Sequence, residues 1–256
     1  KIQIDKIFAL TFSSALCVYF DQKFIIIPLI CFFKIFFGNF SRNTKILTIA
    51  FYFIFSIPYL FLIKIWGGIF PTDIYLIGSQ FYLHHLGFAL TIMAFIFFPF
   101  LIFKIKKLKY EIEEFLINKN FFLILIPILA YVTYLILFYD SNFLNNKLDG
   151  GGIIKKISFI FSNDSILRKI FVYTFFILSW ILIIFFIKNI YEKFVVIFFL
   201  LIALITSPFY QEYFDPIIFI MLFFFFKINF QLNYIKVYLF YFYYLIFLTG
   251  TIFYYN

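Results

Sequence analysis

Charge is scarce in this sequence. Only 13% of the 256 residues are Asp, Glu, Lys or Arg, far too few to coat a soluble domain of this length. Cysteine is nearly absent too. Cys17 and Cys31 both sit inside apolar segments, which excludes a disulfide framework and reads as two small buried hydrophobes. Two adjacent histidines and no CxxC spacing leave nothing with which to build a metal centre, so no metal and no cofactor is expected. The glycines form neither a dinucleotide fingerprint nor a phosphate loop ending in Lys-Ser/Thr, and no hydrolase elbow appears. Strict apolar–polar alternation is also missing, which excludes a transmembrane sheet.

What fills the space is hydrocarbon. The chain is 65% hydrophobic, with 48 Phe and 20 Tyr, and its mean hydropathy is +1.05. Phe, Ile, Tyr, Asn and Lys all have AT-rich codons, so no single Phe carries functional weight. About 20 apolar residues cross a bilayer as a helix. Runs of that kind lie at 46–65, 84–103, 121–139, 170–187 and 237–255, with shorter ones at 194–207 and 216–226. The runs 7–20 and 24–37, parted by D-Q-K, read as a tight hairpin or as partly re-entrant. The expected fold is all-α: a polytopic transmembrane bundle of eight to nine helices forming one membrane domain over residues 1–256.

The net charge of +9 is distributed as membrane orientation rather than as a nucleic-acid surface, and no nucleic-acid partner is expected. With 38–45 placed in the cytoplasm, 104–120, 188–193 and 227–236 fall on that side. Together with Lys1, Lys6 and Lys34 they hold 14 of the 21 basic residues. On the opposite side, 67–83 and 208–215 hold none. The exception is the long outer connection 140–169, where I-I-K-K-I-S-F-I-F reads as an interfacial helix. The inner acids Glu111, Glu113, Glu114 and Glu192 read as solvated loop charge, whereas the outer acids Asp73, Glu212 and Asp215 have no lysine nearby in their own loops.

Three outer stretches carry the candidate chemistry. In W-G-G-I-F-P-T-D, Trp66 sits as interfacial aromatics do, while Gly67, Gly68 and Pro71 make a turn that presents Asp73 outward. His84 and His85 open the next helix, as headgroup or phosphate contacts or as plain interfacial polar residues. In S-P-F-Y-Q-E-Y-F-D-P, Gln211, Glu212 and Asp215 stand among Tyr210, Tyr213 and two Phe. Amides and acids that take hydroxyls beside aromatic faces suit a sugar, although aromatics are common throughout this chain. In K-L-D-G-G-G-I-I-K-K, Asp149 and three glycines precede Lys155 and Lys156. Such a turn can expose backbone N–H groups to a phosphate or simply lead into the interfacial helix.

Taken together, residues Trp66 to Pro99 resemble the dolichyl-phosphate-glucose-dependent alpha-1,2-glucosyltransferases, which add the last glucose to a lipid-linked oligosaccharide. That family carries Gly-Gly-Ile, an Asp four residues after the Ile, and an aromatic-rich helix ending in Phe-Pro. Gly67, Gly68, Ile69, Asp73, Phe98 and Pro99 stand at those places. Tyr213, Phe214 and Pro216 resemble a later Tyr-Phe followed closely by Pro, and Asp149 falls in a comparable outer loop. Glu212 stands where the family has Arg, and its Asn-Arg-His run is missing.

The resemblance implies an integral membrane hexosyltransferase, in the plasma membrane of a bacterium or the endoplasmic reticulum of a eukaryote. It would move a sugar from a polyprenyl-phosphate donor to a glycan or lipid acceptor on the outer face. The catalytic residue is not assigned. A carboxylate in the first outer loop usually fills that role, so the chain is expected to be the C-terminal portion of a longer enzyme. The other reading is a non-enzymatic transporter or assembly subunit. It is disfavoured because Lys34, Lys64 and Lys227 lie near helix ends, where they can snorkel, rather than at mid-membrane.

Overall fold

The computed structural model describes residues 4–67, 81–102, 113, 120–138, 150–187, 189–206, 209–226 and 234–255. All regular structure among them is helical, in ten α-helices: α1 (Ile4–Phe20), α2 (Ile26–Phe36), α3 (Arg42–Trp66), α4 (Leu83–Ile102), α5 (Asn120–Phe138), α6 (Gly152–Phe161), α7 (Ser165–Phe186), α8 (Ile190–Ile205), α9 (Asp215–Ile220) and α10 (Tyr234–Tyr255). Short 3₁₀ turns cover Gln22–Ile25 and Gln211–Tyr213, and α9 continues as a π-helix over Met221–Phe225. Every apolar run seen in the sequence is helical over its described residues except at an end residue such as Phe37, Ile187, Thr206 or Phe226, and the I-I-K-K segment forms α6.

Length separates these helices. Arg42–Trp66, Leu83–Phe100 and Ser165–Phe186 are long and apolar enough to cross a membrane, and shorter apolar stretches lie at Leu125–Phe138 and Tyr234–Ile246. By contrast α2 has 11 residues, about 17 Å of helix against a hydrocarbon core of about 30 Å. It cannot cross alone.

Helix ends follow their sequence signals. The Ser41 hydroxyl accepts the Thr44 N–H at the start of α3, and the Asp164 carboxylate accepts the Ile166 N–H at the start of α7, each satisfying an orphan donor. Gly67 ends α3 at φ 72°, the left-handed cap that glycine favours.

The residues group into two compact units. The first holds α1, α2, α3, α8 and residues 216–226. Here α1 packs on α3 and α2, and α2 on α8, through aromatic edges such as Phe8–Phe51 and Phe33–Phe198 (centroids 5.5 and 5.7 Å). A half-buried hydrogen bond joins the Ser14 and Tyr52 hydroxyls at 2.8 Å.

The second unit holds α4 to α7, residues 209–215 and α10. Its axis is α4, flanked by α7, α6 and α10, with Phe88 against Phe176 and Phe97 against Phe186 (5.1 and 4.5 Å). Phe88, Leu90, Ile92, Met93, Phe97 and Phe100 of α4 are all fully buried.

Tyrosine hydroxyls repair the backbone of the proline-containing helices. Pro99 lacks the N–H that would reach the Phe95 carbonyl, and its ring crowds the turn before it. Tyr243 of α10 donates to that Phe95 oxygen at 2.7 Å, and Tyr244 to Ile96 at 2.8 Å. In the first unit Pro58 removes the N–H that would reach the Ile54 carbonyl, and Tyr19 donates to the next carbonyl, Phe55, at 2.7 Å. A fourth tyrosine enters the ladder itself. Tyr131 of α5 accepts the Gly87 N–H and donates to the Leu83 carbonyl, both at 2.9 Å. Its hydroxyl therefore stands inside what would be one helical hydrogen bond, in the first turn of α4.

One expectation needs correcting. Glu192 is buried, not solvated, at 6% exposure. It lies in the first turn of α8, where the Asn189 side chain donates to it at 3.0 Å, and the helix N-terminus favours its charge.

Candidate functional site

Two of the three candidate stretches meet in the second unit, around one end of α4. Gly150, Gly151 and Gly152 have φ of 71°, 93° and 67°, a run of left-handed conformations that only glycine adopts freely. This conformation lets the chain press against the segment before Gln211. The Gly151 N–H donates to the Phe209 carbonyl at 2.8 Å, and a Cβ on Gly150 would collide with that same carbonyl oxygen. The Ile153 N–H, in the first turn of α6, donates to Gln211 Oε1 at 2.9 Å. Gln211 Nε2 then donates to Asp215 Oδ2 at 3.2 Å. One amide thus ties the glycine turn to the acid of the other loop.

This geometry corrects part of the phosphate expectation. The N–H groups of Gly151 and Ile153 are taken by the protein. The three glycines first serve close packing, with Lys155, Phe88 and Ile92 filling the space where their side chains would be.

The histidines belong to the same cluster but are not surface groups. His84 and His85 are 7% and 2% exposed. Their rings lie 4.3 Å apart, and His85 lies 5.0 Å from Phe209, which itself stacks on Phe214 at 4.6 Å. Lys155 is buried as deeply, at 1% exposure, and its charge acts on His84. Of the two candidate lysines, Lys156 is the more open.

Acid and base face one another across the loops. Burial lowers the Lys156 ammonium from its ordinary value, while Glu212 and Asp215 act to raise it. Burial also pushes the Asp215 carboxyl up to about 6. The Gln211 hydrogen bond and Lys156 oppose that rise, and Glu212 adds to it. Asp215 Oδ1 is buried and has no hydrogen-bond partner among the described residues. Glu212 and Tyr213 are exposed, with Tyr213 edge-on to Tyr210 at 5.6 Å.

The remaining candidates divide differently. Trp66 and Gly67 close α3 in the first unit, with the Trp66 ring 6.1 Å from Tyr59. Gly68, Asp73 and Asp149 lie outside the described residues, as do nearly all of 104–120. Among the described residues no group of three or more His, Cys, Asp or Glu is arranged to hold a metal ion.

Sequence reasoning placed Phe209 among the aromatics beside Gln211 but not as the packing centre of the cluster, and it missed Tyr131, the hydroxyl inserted in the first turn of α4. Phe209 carried no signal among 48 Phe. The comparisons with family models, curated proteins and solved structures return no match for this chain. Fold and composition therefore define a class only: an all-helical protein with several helices able to span a membrane.

Proposed function

We propose that this chain is a membrane glycosyltransferase, or the C-terminal part of one, that moves a sugar from a polyprenyl-phosphate donor to a glycan or lipid acceptor at the outer face. The observation that supports this reading is the convergence of Gly150–Gly152, Lys155, Lys156, Gln211, Glu212 and Asp215 at one end of α4. These residue types suit a sugar phosphate: carboxylates and an amide for hydroxyls, a lysine for the phosphate, and Tyr210 and Tyr213 as faces for C–H surface.

In the proposed reaction the bond from the anomeric carbon to the donor phosphate oxygen breaks, and a bond to the acceptor oxygen forms. The acceptor proton passes to a carboxylate, and polyprenyl phosphate leaves as the anion. Lys156, the more accessible lysine, meets that anion, with Lys155 behind it. Glu212 and Tyr213 hold sugar hydroxyls.

The test is transfer of labelled sugar in vesicles that contain the full-length protein and polyprenyl-phosphate hexoses. Lys156→Gln and Asp215→Asn are expected to lower transfer more than tenfold, a loss of about 1.4 kcal/mol or more in transition-state stabilisation, while Asp164→Asn leaves it unchanged. Unchanged transfer in all three variants would overturn the site. No transfer from any polyprenyl-phosphate hexose by the wild-type protein would overturn the activity.

A further inference from the structure

The first unit contains a cleft that the sugar chemistry does not use. A cavity of about 320 Å³ lies between α1, α2 and α3, walled by Ala15, Tyr19, Leu29, Phe32, Phe55 and Tyr59 among others. A second groove of about 310 Å³ continues along α1 and α3 past Leu16 and Pro58, and shares Ala15, Tyr19 and Phe55 with the first. The shared residues stand as a common wall between the two cavities.

The chemistry of the wall selects the occupant. Three of its hydroxyls are bonded to the protein: Tyr52 shares a hydrogen bond with Ser14, Tyr19 donates to the Phe55 carbonyl, and Ser56 donates to the Phe53 carbonyl at 2.7 Å. A sugar or headgroup placed here would lose its hydrogen bonds to water and find few in return. A hydrocarbon chain loses none.

The surroundings supply such a chain. Only 6% of the apolar stretch of α3 is buried within the protein, so its outward face meets lipid. Dispersion favours filling the cleft over leaving it empty, because an unfilled gap forfeits the contacts that its lining could make. Polarity marks one end. Ile25 of the wall belongs to the turn that carries Lys23 and Asp21, which are paired at 3.5 Å. A zwitterionic headgroup fits beside that pair.

We propose that the cleft between α1, α2 and α3 binds one acyl chain of a membrane phospholipid, with its headgroup at the Asp21–Lys23 turn. This site rests on the membrane placement alone and stands or falls separately from the sugar-transfer reading.

The protein is reconstituted in phosphatidylcholine vesicles that contain a phosphatidylcholine with a diazirine midway along one acyl chain. After photolysis the labelled residues are mapped by peptide mass spectrometry. Labelling at Leu29, Phe32 and Phe55 is expected to exceed that at the outward residues Leu60 and Phe61. Ala15→Trp, or independently Leu29→Trp, fills the cleft and should lower its labelling about tenfold, the loss expected when roughly ten carbon–carbon contacts are blocked. Leu60→Trp should leave it unchanged. Cleft labelling equal to that of the outward face in the wild-type protein would overturn the proposal without any variant. So would stronger labelling by a diazirine fatty acid than by the phospholipid, or chain-to-chain crosslinks at these residues.

Discussion

Two helices of similar apolar character have opposite fates in this protein. Of the apolar stretch of α3 only 6% is buried within the protein, whereas for α4 the share is 78%. Both are long enough to span a bilayer, both contain a proline, and each has a carbonyl near that proline bound by a tyrosine. What differs is the company each keeps. Three residues of the last two turns of α3, Leu60, Phe61 and Ile65, are among the exposed large hydrophobics. In contrast α4 is enclosed by α6, α7 and α10, with Phe97 and Leu90 at 0% exposure. In water the exposed face of α3 would be an aggregation hazard. In a bilayer it is ordinary surface, because lipid is as apolar as the side chains. Hydropathy therefore shows that a helix is able to span a membrane, and packing decides whether it would meet lipid or protein there.

The largest expected effect tests that contrast directly. Phe97→Ala in α4 leaves a void between helices that cannot collapse freely and should cost about 3 kcal/mol or more. Phe53→Ala in α3, where the side chain is 69% exposed, lets lipid fill the gap and should cost under about 1 kcal/mol. Thermal unfolding in lipid nanodiscs checks both. Equal losses would mean that α3 is covered by protein after all.

A second pair sharpens the same comparison through backbone. Gly67 and Gly151 both lie at positive φ, but a Cβ on Gly67 would meet nothing within 4 Å. On Gly151 it would sit 2.7 Å from Lys155 Cδ and 3.3 Å from Phe88 Cζ. Gly67→Ala should therefore cost only the left-handed penalty, about 1 kcal/mol. Gly151→Ala adds a clash and should cost about 2 to 3 kcal/mol. Equal shifts in midpoint temperature would show that the glycine turn is looser than drawn.

These contrasts also mark what could be read from the chain. The helices were legible because each apolar run is continuous and ends at charge, glycine or proline. The side assigned to each loop allowed Gly150–Gly152 and Gln211–Asp215 to touch, but the contact itself, through Phe209 and Gln211, had no signal in the chain. Burial was not legible. A helix that is apolar all round has no face that names its partner, so nothing distinguished Phe97 from Phe53. The deep placement of Lys155 and Glu192 was hidden for a related reason: charge alone predicts exposure, and the Asn189 side chain that meets Glu192 is a matter of cap geometry. The glycines were read as a phosphate turn, while their fit against Phe209 depends on a contact about 60 residues away.

The third effect concerns pH and belongs to the second unit only. The Asp215 carboxyl is raised from 3.8 to about 6, chiefly by burial. The folded state therefore binds its proton more tightly than the unfolded state. The contribution to stability is fully present below about pH 4 and is lost as pH rises through 6. Discounted for the part of the side chain still facing solvent, the change is about 2 kcal/mol. Asp215→Asn should flatten the stability profile between pH 4 and 6, and Asp164→Asn should leave it sloped. A profile unchanged by Asp215→Asn would place the ionisation elsewhere.

The smallest effect asks whether tyrosine hydroxyls answer the proline gaps. The Tyr243 and Tyr244 hydroxyls reach the Phe95 and Ile96 carbonyls, the two loosened by Pro99. Each Tyr→Phe change there should cost about 1 kcal/mol, within the range measured for hydrogen bonds between membrane helices. Tyr19→Phe should cost less, because its bond to the Phe55 carbonyl lies on an exposed face and headgroups or water can replace it near the interface. The decisive measurement is a double-mutant cycle. Pro99→Ala returns an N–H to the Phe95 carbonyl, so Tyr243→Phe in that background should become nearly neutral if the tyrosine serves the gap. A full Tyr243→Phe penalty in the Pro99→Ala background would show the two residues to be independent. The hydroxyl would then anchor α10 to α4 without repairing α4.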